Sequence, residues 1–216
     1  SSDKTSEQTI LQFYKLNTFY DQLKGFFARK IILVEGPTEL FSIQNYFSHL
    51  GYDLIKEGIE IIDCRGKSQI ARNYRLFKAY GYKCFCLFDA DNSDNEKKRA
   101  NKELGEIWGF DSTKMVIEEG KFTIDEGKEF GYFGKDYESY LRTNLEEYTE
   151  KDVEISGNKI LVAKIISEEN KNYKPQFIED IARNLKLTKL DLQDQTIEEK
   201  ESVDDQAIET EDDLPF

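Results

Sequence analysis

Three short apolar runs, separated by segments of helical periodicity, restrict the possible folds of this chain most strongly. The runs are Lys30–Val34, Ile59–Ile62 and Lys83–Phe88. After the first run, apolar residues recur every three or four positions from Leu40 to Leu50, which is typical of a helix. Strands that alternate with helices predict right-handed crossovers and a parallel sheet. The sequence therefore predicts an α/β fold with a Rossmann-like parallel sheet flanked by helices.

The chain has 216 residues, of which 38% are hydrophobic, and this is enough for one core with attached segments. We expect a lead-in helix over residues 1–28 and the α/β core over 29–120. A C-terminal helical extension is expected over 121–190. Residues 191–216 are rich in charge and poor in apolar side chains, which predicts a disordered acidic tail.

Further elements follow from local patterns. Lys114–Ile117 is the expected fourth strand, and the glycine-rich segment after residue 120 is expected to be a connection. Helical signals follow at Tyr137–Tyr148, Lys159–Ser167 and Gln176–Leu187. No apolar stretch approaches the roughly 18–20 residues of a membrane span, and no signal peptide is evident, so a cytoplasmic protein is expected.

The net charge of −13 is unevenly distributed. Residues 191–216 contain eleven acids and one lysine, a net of −10, which leaves −3 for residues 1–190. The body of the protein is therefore nearly balanced, and local basic patches can still contact phosphates.

Cysteine and histidine are too few for a zinc site. The only histidine is His49, and the cysteines are Cys64, Cys84 and Cys86. Alternation places Cys84 and Cys86 on one face of a buried strand, which favours small buried hydrophobes in a reducing compartment. A metal in this chain would have to be held mainly by carboxylates, which indicates Mg²⁺ or Mn²⁺.

Acids follow two of the expected strands. Glu35 ends the first strand, and Glu39 comes four residues later, after a turn at Gly36 and Pro37. Asp89 and Asp91 follow the third strand. Each motif alone also fits a simpler role, since acids complement the N-terminus of a helix and aspartates cap turns. Together, however, both motifs end parallel strands at the edge where ligands gather, so they should converge.

This pattern resembles the Toprim domain of topoisomerases, primases and several nucleases. The string over residues 31–39, then Cys64–Ser68, then Phe88–Asp91, resembles the Toprim half of OLD-family (overcoming lysogenization defect) nucleases. The resemblance is clearest over 28–92 and weaker over 130–187. It implies a Toprim fold and a metal-dependent endonuclease that acts on DNA, with defence against phage as its context.

The resemblance also implies a two-metal hydrolysis with Mg²⁺ or Mn²⁺. Its expected metal ligands are Glu35, Glu39, Asp89, Asp91, Asp136 and Glu138, and Glu35 and Asp89 are also expected to be catalytic. Asp136 and Glu138 fit plain N-terminal helix acids equally well. The family places a late lysine near the scissile phosphate. Lys174 is the first choice for that catalytic lysine, and Lys164 is its competitor.

Basic residues near these motifs are candidates for nucleic-acid binding. They are Arg65, Lys67, Lys97 and Lys98, although a charge run is equally compatible with a solvated surface. Gly66, Lys67 and Ser68 do not form a nucleotide-binding P-loop, because Ile61 holds the position of its first glycine. Since OLD-family proteins resemble ATPase–nuclease fusions, an ATPase half is expected upstream of residue 1.

The last residues resemble the acidic C-terminal tip of bacterial single-stranded-DNA-binding protein. They are Asp212, Asp213, Leu214, Pro215 and Phe216. A terminal aromatic anchor with a free carboxylate and steering acids could dock on a protein that binds such tips. A solubilising tail is the alternative.

Two other functions fit the same motifs. A Toprim topoisomerase or primase fragment would need a tyrosine nucleophile or template-binding modules. A non-catalytic α/β module could use its acids to bind one Mg²⁺. Oligomeric state and substrate strandedness do not follow from the sequence.

Overall fold

The apolar runs form the centre of a five-stranded sheet in the computed structural model, which describes residues 20–125, 127–155 and 158–190. The strands are β1 (Lys30–Val34), β2 (Ile59–Asp63), β3 (Lys83–Asp89), β4 (Phe122–Ile124) and β5 (Phe130–Phe133). Their order is β2-β1-β3-β5-β4. All neighbours are parallel except β4, which runs antiparallel to β5. The expected α/β sheet is therefore confirmed, with one antiparallel edge strand.

Helices cover both faces of this sheet. In chain order they are α1 (Tyr20–Gly25), α2 (Pro37–His49), α3 (Lys67–Ala79), α4 (Asn95–Trp108), α5 (Tyr137–Asn144), α6 (Glu146–Glu154), α7 (Lys159–Glu169) and α8 (Gln176–Leu185). Side chains of α3 and α4 share one core with one face of the strands. Side chains of α2 and of α5 to α8 share the other core. The C-terminal helices thus complete the second layer.

The alternation of strand side chains explains the two cores. Ile31 and Leu33 face the α3 and α4 layer, whereas Ile32 and Val34 face the α2 layer. All four are fully buried, as expected for a central parallel strand. The three free cysteines are buried in the α3 and α4 layer, in agreement with the prediction of small buried hydrophobes.

The expected fourth strand at Lys114–Ile117 is wrong. Residues Ser112–Lys114 form a 3₁₀ turn, and Val116 and Ile117 are 44% and 49% exposed, whereas a central strand would bury them. The position next to β3 belongs instead to Phe130–Phe133, inside the segment that was expected to be a connection. Gly131 gives the ring of Phe122 on β4 room, because a Cβ atom at this position would lie 2.5 Å from that ring.

Two further boundaries differ from expectation. The helix expected over Tyr137–Tyr148 is divided at Leu145, whose extended backbone separates α5 from α6. Of the expected lead-in helix, Tyr20–Gly25 is helical, and residues 1–19 lie outside the described residues. The acidic tail, with its expected docking residues 212–216, also lies outside them. No helix in the described part of the chain is long and apolar enough to cross a membrane.

Candidate metal and nucleic-acid site

The carboxyl ends of four parallel strands meet at one edge of the sheet, and hydrogen bonds continue beyond the strands there. Beyond β1 and β2, the amide of Gly66 donates to the carbonyl of Glu35 at 2.7 Å. Beyond β3 and β5, the amide of Ala90 donates to the carbonyl of Phe133 at 2.7 Å. These hydrogen bonds fix how far the acids that follow each strand lie beyond the carboxyl end of the sheet.

Glu39 is presented to this edge by the first turn of α2. Pro37 occupies the first position of the helix, where its missing N–H costs no hydrogen bond. Glu39 is only 5% exposed, so it is not a surface acid that simply complements the helix dipole. Its burial places it near Glu35, the other acid of the same motif.

Four carboxylates at this edge influence each other, and we name Glu35, Glu39, Asp89 and Glu138 the carboxylate cluster. Burial raises the pKa of Asp89 well above its usual range, and the charges of Glu35, Glu39 and Glu138 raise it further. Burial and then Glu35 likewise raise the pKa of Glu39 well above normal. The pKa of Glu35 is also raised by burial, against the lowering effect of Lys67. The cluster therefore concentrates negative charge that is costly to hold without a cation.

Asp89 is held between two elements of the fold. Its Oδ1 accepts a hydrogen bond from the backbone N–H of Tyr137 at 3.0 Å, at the start of α5. Its own N–H approaches Oε1 of Glu35 at 3.5 Å. The position of Asp89 therefore depends on β1 and on the C-terminal extension, which are far apart in sequence.

Asp136 and Glu138 have different positions, although both were expected to be metal ligands. Asp136 caps α5, because its Oδ1 accepts from the amide of Ser139 at 2.6 Å. Glu138 belongs to the cluster, where its Oε1 lies 3.4 Å from the hydroxyl of Thr38. The structure thus places Asp136 at the N-cap of α5 and Glu138 in the cluster.

Asp91 lies at the rim of the site and is paired with Lys97. The ammonium of Lys97 contacts its Oδ2, and the amide of Ser93 donates to its Oδ1 at 2.8 Å. Burial alone would raise the pKa of Asp91, but the hydrogen bonds from Lys97 and Ser93 outweigh it and lower that pKa to about 2. Asp91 is therefore ionised, and its side chain is 25% exposed.

The basic residues expected at the nucleic-acid surface divide into two groups. Arg65 and Lys98 are exposed. Lys67 is only 7% exposed, and its ammonium donates to the protein, including the carbonyl of Asp91 at 2.8 Å. It also lies 3.9 Å from Oε1 of Glu35. Because its three hydrogens already have partners, Lys67 does not fit the expected role of a surface phosphate contact.

Lys159, at the start of α7, is the late lysine that the structure brings to the cluster. Its Nζ lies 3.5 Å from Oε1 of Glu138, and its side chain is 65% exposed. Lys164 instead pairs with Glu168 at 3.8 Å on the exposed face of the same helix.

Lys174 follows Tyr173, whose ring packs on Tyr46, 5.6 Å away. Among the ion pairs of the described residues, neither Lys164 nor Lys174 pairs with an acid of the cluster. Sequence patterns do not single out Lys159, because its position depends on the packing of α7 against α2.

The donor set of the cluster fits a hard divalent cation. Among the described residues, no three His, Cys, Asp or Glu side chains converge as ready-made metal ligands. Burial and the neighbouring acids raise the pKa values of Glu39 and Asp89, and a nearby cation would favour the ionised forms of such carboxylates. Carboxylate oxygens are the ligands that Mg²⁺ and Mn²⁺ prefer. The residues present are thus suited to such ions.

Residues 26–91 match the family profile described as overcoming lysogenization defect protein-like, TOPRIM domain. Over these residues the chain is similar to an OLD-like Toprim domain. The C-terminal region of the Xanthomonas campestris pv. campestris OLD protein superposes with a TM-score of 0.53 at 13% identity, over 83% of this chain and 99% of that one. For the C-terminal region of the Burkholderia pseudomallei OLD protein the TM-score is 0.44, at 17% identity, over 74% and 83%. No curated protein sequence matches the chain.

These findings confirm the resemblance and the Toprim fold predicted from the sequence. At 13% identity, the structural likeness is one of fold. Toprim domains bind divalent metal ions, and an OLD-like Toprim domain supports a nuclease-type role. The metal, the reaction and the residue roles are considered next.

Proposed function

We propose that this chain is a divalent-metal-dependent endonuclease that hydrolyses phosphodiester bonds in DNA. The observation that carries this proposal is the carboxylate cluster, which gathers acids from β1, α2, β3 and α5 at one edge of the sheet. A purely structural role would not select such an arrangement, because buried like charges destabilise the metal-free protein. The OLD-like Toprim match supports the choice of reaction.

In this proposal Glu35, Glu39, Asp89 and Asp91 would hold two divalent cations, Mg²⁺ or Mn²⁺, with Glu138 as a further acid. When bound, the ions supply the Lewis acidity that phosphodiester hydrolysis requires.

The remaining groups position the acids and the substrate. The N–H of Tyr137 orients Asp89. Lys159 is the exposed ammonium placed to offset negative charge on the phosphate. The exposed Arg65 and Lys98 and the half-buried Lys97 are the candidates for contacts along the DNA backbone.

A tyrosine-dependent topoisomerase is less consistent with the geometry. Tyr137 is the tyrosine whose backbone contacts Asp89, but its side chain is fully enclosed and its hydroxyl lies 2.7 Å from the hydroxyl of Ser42. Burial raises the pKa of Tyr137 well above its usual value, so it is a poor nucleophile.

The upstream ATPase region, the role against phage and the cytoplasmic location stay predictions.

Incubation with supercoiled plasmid and Mg²⁺ or Mn²⁺ tests the proposal. We expect metal-dependent nicking or linearisation that is lost in Asp89→Asn, which keeps an oxygen to accept from Tyr137. Asp180→Asn on α8 is the matched control and should cleave normally. Relaxed closed circles would favour the topoisomerase alternative. Metal binding without cleavage of plasmid or single-stranded DNA would favour the non-catalytic module and refute the proposal.

A pair of variants on one helix tests the role of the lysine. Lys159→Met should lower kcat about 10²-fold, since it removes a cation next to the reacting phosphate. Lys164→Met removes another exposed lysine of α7 and should leave kcat unchanged. Equal effects in the two variants would show that Lys159 has no special role.

A further inference from the structure

The loop Asp89-Ala90-Asp91 is held from inside the protein by two buried polar side chains. The ammonium of Lys67 donates to the carbonyls of Asp89 at 2.5 Å and Asp91 at 2.8 Å. The amide of Asn101, on α4, donates to the carbonyls of Ala90 at 3.2 Å and Asp91 at 3.3 Å. Lys67 also donates to Oδ1 of Asn101 at 3.1 Å, which joins the two side chains.

The opposite side of this loop is bonded as well. The amides of Ala90 and Asp91 donate to the carbonyls of Phe133 and Lys135, at 2.7 Å and 3.1 Å. Each carbonyl of the three loop residues is therefore paired with Lys67 or Asn101, and two of the three amides are paired with the end of β5 and the segment that follows it. A loop bonded on both sides has little freedom to change the direction of its carboxylates.

An unusual turn brings Lys67 to this position. After β2, Arg65 adopts a left-handed conformation with φ of 59°, and Gly66 follows with φ of 116°. The left-handed region is unfavourable for arginine, so other contacts must stabilise the turn. The bond from the Gly66 amide to the Glu35 carbonyl at 2.7 Å is one such contact. The turn directs the first residue of α3 inward, underneath the DxD loop.

We propose that Lys67 and Asn101 are positioning residues that clamp the DxD loop and so set the direction of Asp89 and Asp91. This role rests on the proposed function. Lys67 is 7% and Asn101 3% exposed, so neither is placed to contact substrate. A buried ammonium is costly unless all its donors are bonded, and here the three acceptors are two loop carbonyls and Asn101. For stability alone, apolar side chains of similar volume would serve as well.

Hydrogen exchange of the loop amides tests the clamp without any activity assay. In Lys67→Met and in Asn101→Leu, we expect the amides of Ala90 and Asp91 to exchange at least about tenfold faster, relative to the amides of β1. Lys30→Met is the matched control, because Lys30 is a half-buried lysine that donates to Glu57 at 2.8 Å at the opposite end of β1. It should leave the loop amides unchanged.

Asn101→Leu tests the position of the loop without a change in the charge of the site, because it keeps every ionised group there. In a Mg²⁺ titration monitored by thermal unfolding, we expect the Mg²⁺ concentration at the midpoint to be about 10- to 100-fold higher for this variant. Other residues that orient metal ligands have effects of this size. The kcat of Asn101→Leu should fall while KM for DNA stays unchanged. If Lys67→Met does not fold, Asn101→Leu alone decides the question.

The outcomes distinguish the clamp from the proposed function. Loop amides that exchange at the wild-type rate in folded Asn101→Leu would overturn the clamp, whatever the activity. Faster loop exchange with an unchanged Mg²⁺ midpoint would show a clamp that does not position metal ligands, and would also overturn the proposal. If the wild-type chain cleaves no DNA, the exchange rates and the Mg²⁺ midpoint still test the clamp.

Discussion

Replacement of Glu39 by glutamine should stabilise the metal-free protein and weaken its response to metal. Glu39 is buried, and the charges of Glu35, Glu138 and Asp63 all raise its pKa in addition to burial. Glutamine has nearly the same shape but no charge. We expect a gain of about 2 kcal/mol at pH 8, within the range found for buried charges that lack a partner. For a protein of this size, that gain raises Tm by about 4–8 °C.

The sign of this effect depends on pH in a defined way. Because the pKa of Glu39 is raised in the folded state, its favourable contribution is fully present below the pKa of an unfolded glutamate, about 4.3. That contribution is lost as the pH rises through the raised pKa of the folded state. The Tm difference between Glu39→Gln and wild type should therefore be small near pH 4 and increase toward pH 8.

Addition of metal should reduce the stability advantage of Glu39→Gln from about 2 to about 0.7 kcal/mol. At Mg²⁺ equal to 100 times its Kd, the wild-type protein gains about 2.7 kcal/mol. If Glu39→Gln weakens binding tenfold, its gain at the same concentration falls to about 1.4 kcal/mol. Thermal unfolding across a Mg²⁺ titration at pH 8 measures both effects in one experiment.

Glu179→Gln provides a control in which the change in stability should have the opposite sign to that of Glu39→Gln. Burial raises the pKa of Glu179, but hydrogen bonds from Lys189 and Tyr52 outweigh this and lower it. Glu179→Gln should therefore destabilise the protein at pH 8 and leave the Mg²⁺ response intact. A lower Tm for metal-free Glu39→Gln at pH 8 would refute the reasoning, because it would mean that the Glu39 carboxylate is already well compensated.

Three further predictions follow from the same geometry. Asp136→Ala should cost about 1 kcal/mol of stability, since it removes a helix cap, and should keep the Mg²⁺ response, whereas Glu138→Gln should reduce that response. Gly134→Ala should lower stability by about 1–3 kcal/mol in a denaturant titration, because its Cβ would lie 2.2 Å from the carbonyl oxygen of Glu118. The rise in Tm caused by Mg²⁺ should be larger at pH 8 than at pH 5, because carboxylates with raised pKa values must release protons to bind metal.

The central strands could be predicted because burial on both faces leaves a clear apolar signature. The signature is absent for α4, which was not predicted. Its sequence is dominated by charged residues, and its buried stripe is narrow, with Ala100 and Leu104 as its apolar members. Strand β5 was missed for another reason: Gly131 indicates a turn unless the close approach of Phe122 is known. Both errors arise where tertiary contacts override local preference.

Dependence on tertiary contacts also limits how much of the site the sequence predicts. The position of Glu35 and Asp89 follows from one rule, that parallel strands end at the same edge, and needs no further contact. Lys159 and Asn101 reach the site from α7 and α4, and no local pattern reports how these helices pack. The direction of Lys67 depends on a left-handed Arg65, which a sequence pattern does not reveal.

The charges at the site explain how an acidic chain could bind a polyanion. Glu35, Glu39, Asp89, Asp91 and Glu138 face Lys67, Lys97 and Lys159, so five acids and three lysines leave a net charge of −2 when all are ionised. One divalent cation would neutralise this charge, and two would make it positive. Under the proposed two-metal reaction, the lysines therefore set the net charge of the site so that it attracts a phosphodiester only when two divalent cations are bound. A site with the same acids but no lysines would still be negative after binding one cation or two, and it would gain little affinity for DNA.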